Sequence, residues 1–495
     1  MIASTTTRIS LNPLDHFPPS NYTFFCTYLP LKDGTNPEKA FEVLQKGLRR
    51  TFKQLPWLSG KVCVQSRATT GCRPGQLEIQ YDEADFEGDG PLRQLHLNRL
   101  DPEEIGVGYE DLQESGFPLD GFEDEQLTTA EILPKLANSP DCFSAQANFL
   151  PGACLLVAGT QHAACDGTSY FDVWRIWAGN CDALQQPGAP FTASPPTESS
   201  DRAILDRIWE NEGTGTPMPL VKPESWSLLD IQRPGAPKLE AAESLKILSD
   251  DAMQAAVFYI SSENFSALQK HCNEDSSVRI SGNDALSALI WRCMLKAKRK
   301  AALDGGRAST TEASLSSIQG RLFMTLDARP DISQNLPLMY LGNLSVINVC
   351  SEPLSRLTAP NTSLGTVAQT IRSVVDKATR EALMDAYTLA REIDDLNKIR
   401  LNRGHTPNSF DMVLSSLLMY PVEGVSWGGE VFANGGRPEA VRPLMRRFNR
   451  ASQVCFVMPR KAHGGVEFVL NLFEEEMGLL LDDEEFGRWA MHYSY

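Results

Sequence analysis

The chain has 495 residues, of which 42% are hydrophobic, 22% charged and 8% aromatic, an ordinary globular composition that at roughly 150 residues per domain suggests two or three domains. Its 46 Lys and Arg stand against 63 Asp and Glu, a formal net charge of -17 that repels a nucleic-acid backbone and argues against nucleic-acid binding. There is no run of about 18 apolar residues and no basic-then-apolar leader at the N-terminus, so neither a membrane span nor secretion is expected.

In chain order, the apolar run at 24–29 predicts a strand. Thr35-Asn36-Pro37 then caps a helix with Pro in its first turn, and Phe41, Leu44, Leu48 and Phe52 fall on one face. Pro56 ends that helix, and Leu58-Ser59-Gly60-Lys61-Val62 leads into a second strand. The acidic, Gly- and Pro-rich stretch 82–125 reads as solvated surface. Two apolar runs, 143–150 and 153–159, are broken only by Pro151-Gly152, which predicts a hairpin. A helix follows from about 168, with Val173 and the aromatic Tyr170, Phe171, Trp174 and Trp177 spaced as a core-facing stripe.

Between 182 and 245 the composition shifts to Pro, Gly, Ser and Thr, which reads as a crossing linker. The expected division is an N-terminal domain over 1–205, a linker over 206–245 and a C-terminal domain over 246–495. Beyond the linker, Ser281-x-x-Asp284 has the form of a capping box opening a helix. Strands are predicted at 322–327 and 344–349, and a second hairpin joins 454–458 to 466–473 through His463-Gly464-Gly465.

The 11 cysteines are odd in number and form no C-x-x-C pair or zinc-finger spacing, which suits a reducing, cytoplasmic setting and gives no reason to expect a metal. Neither a P-loop nor a G-x-G-x-x-G fingerprint occurs. Of the seven histidines, His162 alone has an acid four residues on followed at once by glycine, in the turn leaving an apolar strand. A strand-end loop can hold a neutral imidazole toward a cleft, where it takes a proton from an attacking alcohol or amine, as acyl transfer requires. At four residues' distance Asp166 either orients the imidazole or points back into the fold and locks the loop; spacing leaves both open. Cys165 reads as a small filler of the box and not as a nucleophile.

The segment Gln161-His162-Ala163-Ala164-Cys165-Asp166-Gly167 resembles the H-x-x-x-D-G box of the BAHD acyltransferase superfamily. Other segments in order along nearly the whole chain are similar to that family: Ile9-Ser10-Leu11-Asn12-Pro13-Leu14-Asp15, Leu55-Pro56-Trp57-Leu58-Ser59-Gly60, the helix from Ser281, Asp327-Ala328-Arg329, Tyr340-Leu341-Gly342-Asn343, and the final hairpin. The family's D-F-G-W-G box is degraded here. Of two competing stretches, Gly424-Val425-Ser426-Trp427-Gly428 and the one ending Gly435-Gly436-Arg437-Pro438-Glu439-Ala440-Val441-Arg442, the second is favoured, since it looks like fungal members of the trichothecene 3-O-acetyltransferase type.

The resemblance implies an α/β fold of two chloramphenicol-acetyltransferase-like domains, each a mixed sheet flanked by helices, with an active-site tunnel at their interface. It implies acetyl-CoA as co-substrate, a small hydrophobic hydroxylated acceptor such as a terpenoid or alkaloid, direct transfer in a ternary complex, and a monomer. His162 would be the base, Asp166 would turn away to pair with Arg329, and Ser415 would hold the oxyanion or the pantetheine arm. Ser281 and Asn343 are candidates for the CoA chain. Residues 437–461 carry Arg437, Arg442, Arg446, Arg447, Arg450, Arg460 and Lys461 against Glu439 alone, and Arg442 is the expected phosphate contact. A second basic run, Lys296 to Lys300, reads as complementing a helix dipole. The alternatives are an amide-forming condensation enzyme acting on carrier-bound thioesters, although Gln161 stands where such enzymes usually have a second His, and a catalytically silent binding protein of the same fold.

Overall fold

The computed structural model describes residues 6–186, 188–232, 253–274, 276–305, 311–402, 409–420, 422, 424–445 and 454–495. Strands among these residues form three sheets. The first, of five strands, runs in spatial order Ala440–Pro443, Tyr22–Pro30, Ala153–Gln161, Phe143–Leu150 and Leu95–Arg99. Its pairs are antiparallel except the last. The second, of seven strands, runs Ser345–Pro353, Gln319–Asp327, Asp411–Ser416, Val454–Val457, Val466–Leu472, Gln254–Ile260 and Met491–Ser494, with Asp411–Ser416 parallel to both neighbours. A small third sheet joins Thr7–Ser10, Leu77–Tyr81 and Lys61–Val64. Both large sheets are mixed and flanked by helices, the α/β class expected. Because Ala440–Pro443 pairs with Tyr22–Pro30, the five-stranded sheet draws strands from both halves of the chain.

Local sequence explains most elements. Asn36 accepts the Lys39 amide at 2.8 Å and Pro37 fills the first position of the helix Pro37–Gln54, so two orphan donors of the helix start are removed or satisfied. The buried Leu44, Leu48 and Phe52 face the helix Gly167–Gln185, where Trp177 Nε1 donates to Leu44 O at 2.9 Å. The two helices touch at Gly47: a Cβ there would lie 2.3 Å from Cys181 Sγ, so only glycine permits this approach. The hairpin Phe143–Leu150 and Ala153–Gln161 turns through Gly152 at φ 80°. Two details add to the expectation. Pro56–Ser59 is a 3-10 turn closed by Ser59 Oγ donating to Pro56 O, which delays the next strand to Lys61. The described part of the linker carries the helices Ile204–Glu212 and Pro223–Ser227, whose Leu205, Ile208 and Trp226 pack with Leu383, Met384 and Tyr387.

The seven-stranded sheet separates its faces by strict alternation. Leu322, Met324, Met412, Leu414, Cys455 and Val457 point to a core shared with the helices Ser262–Glu274, Gly282–Leu303 and Leu364–Val375. Thr325, Val413, Ser415, Val454 and Phe456, one residue out of phase, point to a cavity on the opposite face.

The N-terminal segment is fastened by His16. Its Nε2 accepts the Leu77 backbone amide at 2.9 Å while Nδ1 donates to Asn12 O at 2.9 Å, so the ring is neutral with its proton on Nδ1. Burial, helped by the Arg73 guanidinium, pushes its pKa down to about 4. The unfolded chain binds this proton below about pH 6.5 and the folded chain does not until about pH 4, so the contribution is complete above 6.5 and is lost as pH falls through that window. His16→Gln keeps an acceptor without titrating. Its thermal midpoint, followed from pH 7.5 to 4.5, should fall less steeply than that of the wild type; parallel profiles would refute this assignment.

Candidate active site

The H-x-x-x-D-G segment is a strand end, a tight turn and a helix cap in succession. The strand Ala153–Gln161 ends as His162 N donates to Asn21 O at 2.8 Å, and Ala164 N turns back to Gln161 O at 2.8 Å. Asp166 is the N-cap of the helix Gly167–Gln185 and accepts the Ser169 amide at 3.1 Å. Asp does this well because its short carboxylate reaches the open N–H groups of the first turn. The turn therefore separates His162 and Asp166 in direction as well as in sequence.

Asp166 is 1% exposed and points into the protein. Arg329 binds it through two parallel bonds, Nη1 to Oδ2 and Nη2 to Oδ1, both 3.0 Å. The Leu344 and Ser345 amides donate to Oδ2 at 2.8 and 3.0 Å, so both carboxylate oxygens are saturated. Arg329, itself 7% exposed, also donates to Asp327, Ser169 Oγ and the Tyr340 and Gly342 carbonyls. Burial alone would raise the Asp166 carboxyl; the guanidinium and the backbone donors outweigh it and hold the group below the ordinary carboxylate value. Of the two roles that spacing left open, this geometry is that of the loop lock.

A second buried cluster braces the same turn. Asn343 Nδ2 donates to His162 O and to Asp15 Oδ1, both at 2.9 Å. Arg202 donates to Ala164 O at 2.6 Å and pairs with Asp15 at 3.5 Å. The turn carrying His162 is thus gripped by residues 15, 202 and 343, from three distant parts of the sequence.

His162 faces a cavity of about 190 Å³ between the sheets. Its wall includes the apolar Phe17, Phe25, Leu229, Val413, Leu417 and Phe456, and the polar Asn21, Asp230, Thr325, Ser345, Ser415 and Tyr420. Ser415 and His162 thereby border one cavity. Asp230, in left-handed backbone at φ 54°, and Tyr420 escaped sequence reasoning: the first lies in a stretch read as linker, the second in a loop without a motif. Cys165 is 1% exposed, and burial pushes its thiol up to about 12, so no thiolate forms near neutrality.

Other expected residues lie elsewhere. Ser281 caps the helix Gly282–Leu303, exchanging bonds with Asp284 in a capping box, and Arg372 joins the pair. Asn343 is in the brace just described, away from the cavity wall. Arg442 requires a correction. It is 2% exposed, with Nη1 on Glu467 at 2.7 Å and on Val441 O, Nε on Phe117 O and Nη2 on Gly116 O, so four of its five N–H groups are engaged inside the protein and its burial closes it to a phosphate. Arg446, Arg447 and Arg450 lie outside the described residues. Arg437, Arg460 and Lys461 instead line a groove of about 460 Å³ with His463, Glu439 and Glu467, and Lys461 pairs with Glu467 at 2.6 Å. The guanidinium of Arg460 lies 4.9 Å from the Phe265 ring centre, and that ring packs on Gly282 at the start of the Ser281-capped helix. The second basic run is ion-paired: Lys296 with Asp483 and Glu485, Arg299 with Glu312, Lys300 with Asp304.

Comparison with known proteins bears on this arrangement directly. A model described as the Transferase family matches residues 122–486, and a model of the trichothecene 3-O-acetyltransferase-like N-terminal domain matches residues 21–181. The chain belongs to the BAHD-type Transferase family of acyltransferases. It is 27% identical over 99% of its length to the isocyanide synthase-NRPS hybrid crmA of Aspergillus fumigatus, of which it spans 32%. It is 25% identical to acyltransferase BOA11 of Botryotinia fuckeliana over 99% of both chains. In structure it matches F. graminearum TRI101 complexed with coenzyme A and deoxynivalenol at a TM-score of 0.78 and 21% identity, covering 99% of this chain and 100% of the other.

For this chain the lock predicts a measurable coupling. Asp166→Asn and Arg329→Gln should each destabilise by about 3–5 kcal/mol, since each strands a buried charge or its donors. The double variant should lose clearly less than the sum in a denaturant cycle; strict additivity would mean that the two groups do not couple.

Proposed function

We propose that the chain transfers an acetyl group from acetyl-CoA to a hydroxyl of a small hydrophobic metabolite, with His162 as general base and no acyl-enzyme intermediate. The observation that carries this reading is the pair of opposite orientations on one turn: His162 faces a cavity that also holds Ser415, and Asp166 faces away into Arg329. As the acceptor oxygen attacks the thioester carbonyl, His162 takes its proton. The tetrahedral oxyanion is stabilised by the Ser415 hydroxyl. Collapse breaks the carbon–sulfur bond, and the imidazolium returns the proton to the departing CoA thiolate. The largely apolar wall favours a hydrophobic acceptor, and relatives named O-acetyltransferases, such as dmxR13 of Cryptosporiopsis and prx11 of Penicillium rubens, support acetyl as the group moved.

CoA phosphates need local positive potential in a chain of net charge -17. The exposed Arg437 and Arg460 of the groove, close to the start of the Ser281-capped helix, are the described residues suited to supply it, Lys461 being already paired with Glu467. The match to an NRPS hybrid favours one second reading, condensation on a carrier-bound thioester. Release of free CoA from acetyl-CoA in the presence of a panel of hydroxylated metabolites, with mass-spectrometric detection of acetylated product, separates the two.

His162→Ala should lower that turnover by about 10²–10⁴-fold with CoA affinity and fold retained; retention of more than about a tenth of wild-type activity would exclude His162 as the base. Cys165→Ala should remain active, and no acetylated protein mass should accumulate in the wild type. Arg460→Ala should raise the KM for acetyl-CoA several-fold at nearly constant kcat, because a remote phosphate contact serves ground and transition states alike. Arg442→Ala should lower stability and leave that KM unchanged. The reverse pattern would return the phosphate contact to Arg442.

A further inference from the structure

The transferase reading uses His162, Asp166, Arg329 and Ser415 and gives no role to the Tyr420 hydroxyl, although Tyr420 lines the same cavity as His162 and Ser415. The polarity of that hydroxyl follows from counting protons. Thr168 Oγ1 lies 3.2 Å from Asp327 Oδ2 and 2.6 Å from the Tyr420 hydroxyl oxygen. A threonine hydroxyl has one proton, and the Asp327 carboxylate, paired with Arg329 at 2.8 Å, offers only lone pairs. Thr168 therefore donates to Asp327 and accepts from Tyr420.

With its proton turned to Thr168, Tyr420 has only oxygen lone pairs left to offer a ligand. Burial pushes its pKa far above the ordinary phenol value, so the proton stays in place at neutral pH. The ring is fixed by stacking on Phe171, with centroids 4.9 Å apart and planes 28° apart, and by Tyr420 N donating to Leu417 O at 3.0 Å. The oxygen lies beside the helix start that follows the His162 turn, 3.9 Å from where a Cβ on Gly167 would be. The chain Tyr420, Thr168, Asp327, Arg329 ends on Asp166, so the ion pair that locks the catalytic turn also sets the direction of the tyrosine.

We propose that Tyr420 is a positioning residue whose oxygen accepts a hydrogen bond from an N–H or O–H group of a substrate in the cavity, its polarity being imposed by Thr168 and Asp327. The proposal rests on the transferase reading. Two sources carry that chemistry: the amide N–H groups of the pantetheine arm of CoA, and the hydroxyl or amine of the acyl acceptor. A carbonyl presented to the same point would meet lone pair against lone pair, so the site discriminates donors from acceptors.

The test uses the full chain carrying Tyr420→Phe, Thr168→Val or both, with CoA affinity measured by titration calorimetry and acceptor KM and kcat measured by CoA release at saturating acetyl-CoA. Tyr420→Phe should weaken one of the two binding constants by about 3–10-fold, with kcat within about two-fold and the thermal midpoint close to wild type. Thr168→Val, which unfixes the hydroxyl rotor, should weaken the same constant by less, and the double variant should match Tyr420→Phe alone. A weaker CoA constant identifies the pantetheine amide as the donor; a change confined to the acceptor KM identifies the acceptor. Both constants unchanged in Tyr420→Phe, additive losses in the double variant, or lost stability and kcat with both constants intact would each overturn the proposal alone. Absence of CoA binding by the wild type would overturn the transferase reading and the proposal with it.

Discussion

The bidentate pair between Asp166 and Arg329 is the constraint on which the rest of the site depends. A carboxylate and a guanidinium removed from water are tolerable only when every lone pair and every proton is met, and here the Leu344, Ser345 and Ser169 amides and the Tyr340 and Gly342 carbonyls complete both partners. Completion on that side forces the short turn between strand and helix to direct His162 the other way, into the cavity. The acid in the box acts on the histidine by fixing the backbone that carries it, with no bond to the ring required. Asn343 and Arg202, both tied to Asp15, donate to the carbonyls of the same turn, so separate parts of the chain converge on residues 162–166.

The cavity follows from sheet parity. The seven-stranded sheet places its apolar phase on helices and leaves a more mixed phase, with Thr325 and Ser415 among Val413, Val454 and Phe456, facing the five-stranded sheet. One residue of register shift in Asp411–Ser416 would turn Ser415 into the helix core and Leu414 into the cavity. Electrostatics follows the same division between local and global: Arg437 and Arg460 are exposed at one groove, while Arg442 is buried with Lys461 as a counter-charge of Glu467.

How legible this was in the sequence depends on the range of the interaction. The hairpin through Gly152, the helix opened by Asn36 and Pro37, and the capping box at Ser281 are set by neighbours a few residues apart, and the pattern of residues names them. The helices within the expected linker carry a weaker signal, because Pro and Gly mark the turns there while the apolar faces of Ile204–Glu212 and Pro223–Ser227 find partners more than a hundred residues on, around 328–346 and 383–390. Arg442 was misjudged because a count of basic residues does not say which one faces water; its partner Glu467 sits on another strand, 25 residues on. Tyr420 carried no sequence signal, since its polarity arises from Thr168, 252 residues away.

The sequence by itself determined the order of the elements, the residue types able to do acyl transfer and, through its ordered motifs, a family. Tertiary structure alone decided the directions: Asp166 inward and His162 toward the cavity, Ser415 on the open face of its sheet, Arg442 inside and Arg460 at the groove. The reason is physical. Helix caps, turns and periodicity come from hydrogen bonds closed within a few residues, whereas the aim of a side chain is set by what it meets across the fold, and Asp166 meets Arg329, 163 positions further along the chain, only once the intervening segment has been folded into place.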